Sequence, residues 1–511
     1  MGFLQRLDEK IRVSDGGEAA TRFANEDILP LPKEKRNWTT INYIAYTCSG
    51  AANISGWTTG SSMIALGLVW WQALIAVFIG YLIAGIASAF NGVASATYHI
   101  NYPAYSRVVW GINGAYWPIL NRVILTFIWT ATQTYFGAES VVNLITALAP
   151  QFANMQNVFP ESSGLTTQVF IAFCLFWALQ LAVTKSKGLG GLIYQQSSLD
   201  SSDLGWSFVF AISAAVGGIS AGIVNTPDTS RYARRPSDQF YPQLVTSPII
   251  NVVVALFGIL VAAACQQIYP DQPLMWDPNV VISAFQADGQ PGARAGAFFV
   301  SLAFILGQLG INMANIVPGS FDLSGLLPRY ISQLRGAYIV GLSAIALCPW
   351  YFLSSANTFL NVLSAYSVFL GPVTGIMVFN YFCVLGQRIN VPDMYLGNKS
   401  SVYWYNFGIN WRAFAAWLIG VVPLLPGFIA TVDTNVTVTV GLTQLFNMAW
   451  MIGFLMSGLA FWALNLLVPP AAVEWAKKAP SYAEDEESSD DEITPAADEK
   501  TTAQEVEESR A

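Results

Sequence analysis

WPILNRVILTFIWTATQTYFG, residues 117–137, is an apolar run interrupted by two large hydrogen-bonding side chains, Trp129 and Gln133. Four residues apart, they share one face of a helix. If the helix starts near Pro118, Trp129 lies about 16 Å along it at 1.5 Å per residue. That is near the middle of a hydrocarbon layer roughly 30 Å thick. A glutamine amide at that depth needs a partner in protein or water. One reading is an interhelical hydrogen bond. The other is a pocket in which the indole stacks a flat ligand and the amide reads its edge.

Working outward, composition sets the class. Of 511 residues, 54% are hydrophobic and 11% charged, against about 25% charged in soluble domains. Apolar runs are read at 41–67, 70–93, 118–148, 168–184, 206–225, 244–265, 295–319, 336–354, 358–384, 411–431 and 442–467. About eleven spans of an all-α polytopic membrane protein are thus readable. Residues 1–38 are polar and read as a cytosolic N-terminal arm, in which ANEDILPLPKEKRNW (24–38) is open to two readings, a solvated linker or a segment that docks on the inner face and gates it; 39–468 form the transmembrane core. Residues 469–511 read as a disordered acidic cytosolic tail. From Glu474 onward there are thirteen acids against four bases, so the net charge of −8 belongs to the tail. It does not argue for nucleic acid. The five cysteines, Cys48, Cys174, Cys265, Cys348 and Cys383, lack CxxC spacing and read as packing residues. The sole histidine, His99, reads as a solvated loop residue. No catalytic or metal-binding constellation is visible, and an enzyme is not expected.

Loop charges orient the spans. Lys33, Lys35 and Arg36 precede the first, and Arg231, Arg234 and Arg235 follow the 206–225 span. Both sets are cytosolic only if one crossing is missing between about 168 and 206.

Two spans carry polar or glycine-rich interruptions: CSGAANISGW (48–57), with Gly50 and Asn53, and AAVGGISAG (214–222), with Gly217 and Gly218. Breaks at matching depth in two halves point to a ligand site on discontinuous helices; close packing of small residues is the competing reading. Gln308, Asn312 and Asn315 stand at i, i+4 and i+7 of the 295–319 span, a polar stripe that reads as pocket or permeation path. Glu139 falls near the outer end of the 118–148 helix, where an interfacial carboxylate and a proton carrier are both open readings.

Several blocks in order resemble nucleobase–cation symporter family 1, in its fungal uracil, allantoin and uridine permease branch. They are LPLPKEKRNW (29–38), SRVVWGINGAYWPILNR (106–122), WTATQTYFG (129–137), NTPDTSRYARRP (225–236), SFDLSGLLPRYI (320–331), CPWYFLSSANTFLNVLSAYSVFLGP (348–372) and GINWRAFAAW (408–417). The resemblance implies the inverted five-helix-repeat, LeuT-like transporter fold with twelve spans, of which the fifth is missing here near residues 181–188. It implies that Trp129, Gln133 and Asn315 hold a planar base. An indole suits the ring face, and an amide both donates and accepts at its edge.

The chain departs from the family elsewhere. Leu309 and Gly310 replace the hydroxyl residues that bind sodium in bacterial relatives and offer no ligand for a hard cation. Sodium coupling is unsupported, and a proton is the expected coupling ion. Asn380 stands where an aspartate is usual. The second stacking aromatic of the sixth helix is unassigned, with Trp206 near the membrane edge and Phe210 as a candidate. The expectation is a plasma-membrane secondary transporter, N-terminus cytosolic, importing a nucleobase, allantoin or related heterocycle by alternating access. The alternative is a non-transporting binding, sensing or mis-spliced form. Beyond substrate and lipid, the tail lysines suggest ubiquitin-linked endocytic partners. No bound cofactor is expected.

Overall fold

The computed structural model describes residues 11–480 except 16–17, 52, 161–164, 184–200, 288, 290–291, 352, 354–355 and 434. The first span is broken: α1 (Thr40–Ala51) stops, and α2 (Ile54–Ser62) restarts under an Asn53 cap. Then come α3 (Trp70–Tyr98), the short buried α4 (Tyr102–Trp110), α5 (Tyr116–Leu148), α6 (Thr167–Val183) and α7 (Ser201–Ser230). A short α8 (Pro236–Tyr241) and one π turn lead into α9 (Ser247–Ile268). They are followed by α10 (Pro278–Ala287), α11 (Ala293–Leu326), α12 (Gln333–Ala346) and α13 (Ala356–Phe379). The last group is α14 (Trp411–Val421), α15 (Leu425–Val432), α16 (Val440–Phe446), α17 (Ala449–Leu467) and α18 (Ala471–Ala476). Among the described residues, seven helices are long and apolar enough to cross a membrane.

Two layers hold the core. In one, α5 packs chiefly on α11, flanked by α6 and α12; in the other, α3 packs on α7, and α9 on α2 and α3. Glycines permit the closest crossings. A Cβ at Gly60 would overlap Ala255 of α9, and one at Gly137 would overlap the Phe176 ring of α6. The first half contributes α1/α2, α3, α5 and α6, and the second α7, α9, α11, α12 and α13. Among the described residues the second half is thus a five-helix unit and the first shows four. The expected join at 181–188 falls largely in 184–200, outside the described residues.

Four expectations are corrected. α7 runs unbroken through Gly217 and Gly218. A Cβ at Gly217 would run into Leu363 O and Ser367 Oγ of α13, so this glycine serves close packing. His99 is buried, at 6% exposure, with φ 54°, and its Nδ1 donates to Arg231 O (3.0 Å). The tail does not begin at 469, because α18 sets Ala472 and Ala476 into the main core cluster. Residues 481–511 lie outside the described residues. The 336–354 run is also shorter as a helix, ending at Ala346.

The N-terminal arm is docked. Val13 N donates to Arg329 O (2.9 Å), and Trp38 pairs through the backbone with Tyr232 and Arg234. Buried Asn25 donates to Ser324 Oγ (2.8 Å) and Pro328 O (3.0 Å) at the end of α11. Asp27 O accepts from Asn101 (3.1 Å) and Arg231 (3.0 Å), and Asp27 Oδ2 accepts from Gln333 N (2.8 Å). The arm therefore ties loops of both layers at one face. Asn25→Ala removes a donor set whose loss costs about 1–3 kcal/mol. The expected result is a lower melting temperature and faster proteolysis within residues 11–38, read by limited digestion of the purified protein.

Candidate functional site

The break between α1 and α2 opens onto a cavity of about 190 Å³. α5 supplies Arg122, Thr126, Trp129 and Gln133 to its wall, at i, i+4, i+7 and i+11 along one helix face. Gly50, Asn53 and Ser55 come from the broken span, Gly218 and Asn225 from α7, and Asn315 from α11. Trp129 and Gln133 are 7% and 2% exposed. The Tyr366 ring of α13 lies 6.3 Å from the Trp129 ring, tilted by 51°.

Side chains take up described backbone groups at the break. Asn53 Oδ1 accepts from Gly56 N (2.9 Å), and Asn53 Nδ2 donates to Gly50 O (2.6 Å). Ile54 N donates to Gln308 Oε1 (2.9 Å). Gln308 Nε2 in turn donates to Gln133 Oε1 (2.8 Å) and Gln133 O (3.1 Å). Ser55 Oγ donates to the same Gln133 Oε1 (3.0 Å). Gln133 therefore does not offer both edge functions to a ligand, because its carbonyl is already occupied. Asn315 Nδ2 is buried with no partner among the described residues.

The polar stripe of α11 divides. Asn315 reaches the cavity, whereas Gln308 and Asn312 do not line it. Asn312 donates to Thr134 Oγ1 (3.2 Å), so these two amides join α11 to α5. Trp206 and Phe210 also lie elsewhere, in a separate recess with Leu66 and Phe446. Among the described residues the Tyr366 ring lies against Trp129, in a small recess with Phe359 apart from the cavity.

Sequence reading passed over a buried charge cluster at one end of the cavity. Arg122 of α5 forms an ion pair with Asp322 of α11, with Nε donating to Oδ2 (2.8 Å). Asp228 of α7 stands 3.8 Å from the same guanidinium and accepts from Tyr102 N (2.9 Å). All three side chains are at most 1% exposed. One oxygen of each carboxylate, Asp228 Oδ2 and Asp322 Oδ1, has no hydrogen-bond partner among the described residues. The signal was present: an arginine inside an apolar run, and aspartates within NTPDTSRYARRP and SFDLSGLLPRYI.

Glu139 is away from the cavity. It meets Asp277, Tyr135 and Asn279 where α10 is clasped to α5; Ser140 Oγ donates to Asn279 Oδ1 (2.8 Å) and Asn143 Nδ2 to Asn279 O (3.0 Å). Burial pushes the Asp277 carboxyl, in the loop before α10, up to about 6.

A chain whose described residues are helical apart from one two-residue hairpin in the arm, with a broken first span and a polar cavity at the break, has the architecture of a membrane transporter. The comparisons agree. Mhp1, a nucleobase-cation-symport-1 family transporter solved in a closed conformation with bromovinylhydantoin bound, matches 91% of this chain and 99% of its own at TM-score 0.65 and 20% identity. The model of a family described as permease for cytosine/purines, uracil, thiamine and allantoin matches residues 30–186 and 180–453. The chain belongs to this permease family. The allantoin permease and the uracil permease of Saccharomyces cerevisiae are each 32% identical, each over 87% of this chain and 76% of their own length. The two matched pieces overlap at 180–186, inside the interval of about 168–206 to which loop charges confine the expected missing crossing.

Two outcomes follow from this geometry. Arg122→Met leaves two carboxylates buried without their cation, so unfolding stability falls by about 3–5 kcal/mol, measured by thermal melts against the wild type. The Asp277 carboxyl is held above its ordinary value of 3.8, so the native state binds more protons than the unfolded chain between pH 4 and about 6. Stability contributed there is present at low pH and is lost as pH rises through that window. Asp277→Asn should flatten the slope in pH-dependent melts.

Proposed function

We propose that this permease moves a planar nucleobase-type heterocycle, of the uracil, allantoin or uridine kind, by alternating access. The observation that carries the reading is the wall formed by Trp129, Gln133 and Asn315 beside a helix break. An indole face and two amides suit a flat ring with a polar edge. A cavity of about 190 Å³ is small beside the roughly 300–1,000 Å³ of drug-sized sites, which suits one or two fused rings. The relatives' names, allantoin permease and uracil permease, support the same class.

The coupling ion in this proposal is a proton. Leu309 is buried in an apolar cluster with residues of α5 and α6, and Gly310 faces Ser49 without a side chain of its own. That residue pair gives sodium no hydroxyl ligand on α11. The Arg122–Asp322–Asp228 cluster, with two carboxylates around one guanidinium at the cavity's end, is a better-placed proton site than Glu139. The protein is assigned to the plasma membrane with the arm face cytosolic, and the arm acts as a strap that must loosen when that face opens. The tail beyond residue 480, with Lys500, is assigned to sorting and ubiquitin-linked endocytosis.

The test is uptake of radiolabelled uracil, allantoin and uridine in cells lacking their own permeases. Gln133→Ala and Asn315→Ala should each reduce uptake by roughly tenfold or more. Replacing sodium by choline should leave uptake unchanged, and collapsing the pH gradient should suppress it. Uptake untouched by both substitutions overturns the site. The two-piece family match favours a second reading, a binding form that no longer transports. Binding to purified protein with no uptake in cells would select it.

A further inference from the structure

A carboxamide has one accepting end and one donating end, and only the end facing the cavity reads a substrate. At Gln133 that choice is not made locally. It begins at Ile54 N, in the first turn of α2, where a backbone N–H has no intrahelical acceptor. A backbone N–H can only donate, so Gln308 must present its carbonyl to Ile54 (2.9 Å). The NH2 of Gln308 is then forced toward α5, where it donates to Gln133 Oε1 (2.8 Å). Gln133 must therefore turn its carbonyl to Gln308, and Ser55 Oγ donates to that same oxygen (3.0 Å). The hydroxyl could rotate to suit either orientation, but the backbone amide cannot. With both lone pairs of Gln133 Oε1 engaged, the NH2 is the end with capacity left for a ligand. The second cavity amide, Asn315, likewise has a buried Nδ2 with no partner among the described residues.

Resting on the transport reading above, we propose that Gln308 is a positioning residue for substrate selection. It does not line the cavity, yet it holds Gln133 with its donating end inward. The site then selects heterocycles that present ring carbonyls to these amides, cyclic imides and ureides, over rings that present an exocyclic amine there. An amine would meet a donor and leave both groups unpaired in a buried site.

The experiment is competition against bound tritiated uracil on the purified full-length protein, using uracil and cytosine, which match in size; cytosine carries an amine in place of O4 and an accepting N3 in place of N3–H. The wild type should prefer uracil by about 100-fold or more. In Gln308→Glu the new carboxylate still accepts from Ile54 N but offers Gln133 only an acceptor. The Gln133 amide then turns over, and the preference collapses or inverts. At low pH the new carboxylic acid donates again, and uracil preference returns, which a merely structural role would not produce. Gln308→Met unpins the amide and should bring the two rings within about tenfold of each other. Gln133→Glu, with Gln308 intact, keeps the relay but places a carboxylate oxygen in the cavity, and should favour cytosine even if both Gln308 variants misfold. A wild-type ratio retained in monodisperse Gln308 variants, or uracil preference retained in Gln133→Glu, overturns the assignment. Failure of the wild type to bind any ring overturns the transport reading together with it.

Discussion

Inside a bilayer a free backbone N–H has no water to turn to, and each one left unpaired costs several kcal/mol. Breaking the first span between Ala51 and Ile54 creates such donors at mid-depth. Asn53 takes one of them and Gln308 another. The second acceptor comes from the opposite layer, so the repair of a local break becomes the joint between α2, α11 and α5. The cavity exists because helix is absent there, and its polarity follows from how the exposed backbone is satisfied. A change in the tilt of α2 against α11 would strain this joint first.

The other constraint is buried charge. Arg122 draws α5, α7 and α11 together at one end of the cavity. Taking three ionic groups out of water is costly, and such clusters are weak contributors to net stability. Their value here is positional, since they lock one arrangement of the two layers. The arm reinforces the lock from outside. Asn25 grips Ser324, two residues from Asp322, and Asp27 holds Arg231, three residues from Asp228. Cavity, charge cluster and arm are therefore one continuous stack, and a motion that opens this face has to act on all three.

Much of this was legible in the residues. Low charge and long apolar runs specify a polytopic helical chain because a bilayer admits little else. Trp129 and Gln133 stood out because large polar groups at mid-depth need a reason, and CSGAANISGW announced the break that forms. AAVGGISAG misled because glycines that weaken a helix also let one pack closely, and α13 lies against Gly217. His99 misled because a residue between two helices need not face water when a folded arm covers it. Arg122 was overlooked, although its place in an apolar run is the same kind of signal as Gln133.

Periodicity and composition act along one segment, and they suffice to put Arg122, Thr126, Trp129 and Gln133 on a single face of one helix. They also raise the expectation of a missing crossing between about 168 and 206, because charge excess follows the side of the membrane on which each loop lies. Direction within the site is another matter. Gln308 is 254 residues from Ile54 and 175 from Gln133. An amide's orientation depends on partners brought from that far away, and no local pattern carries it. Folding alone determines that Gln308 faces α5 while Asn315 faces the cavity, and that Gln133 turns its donors inward.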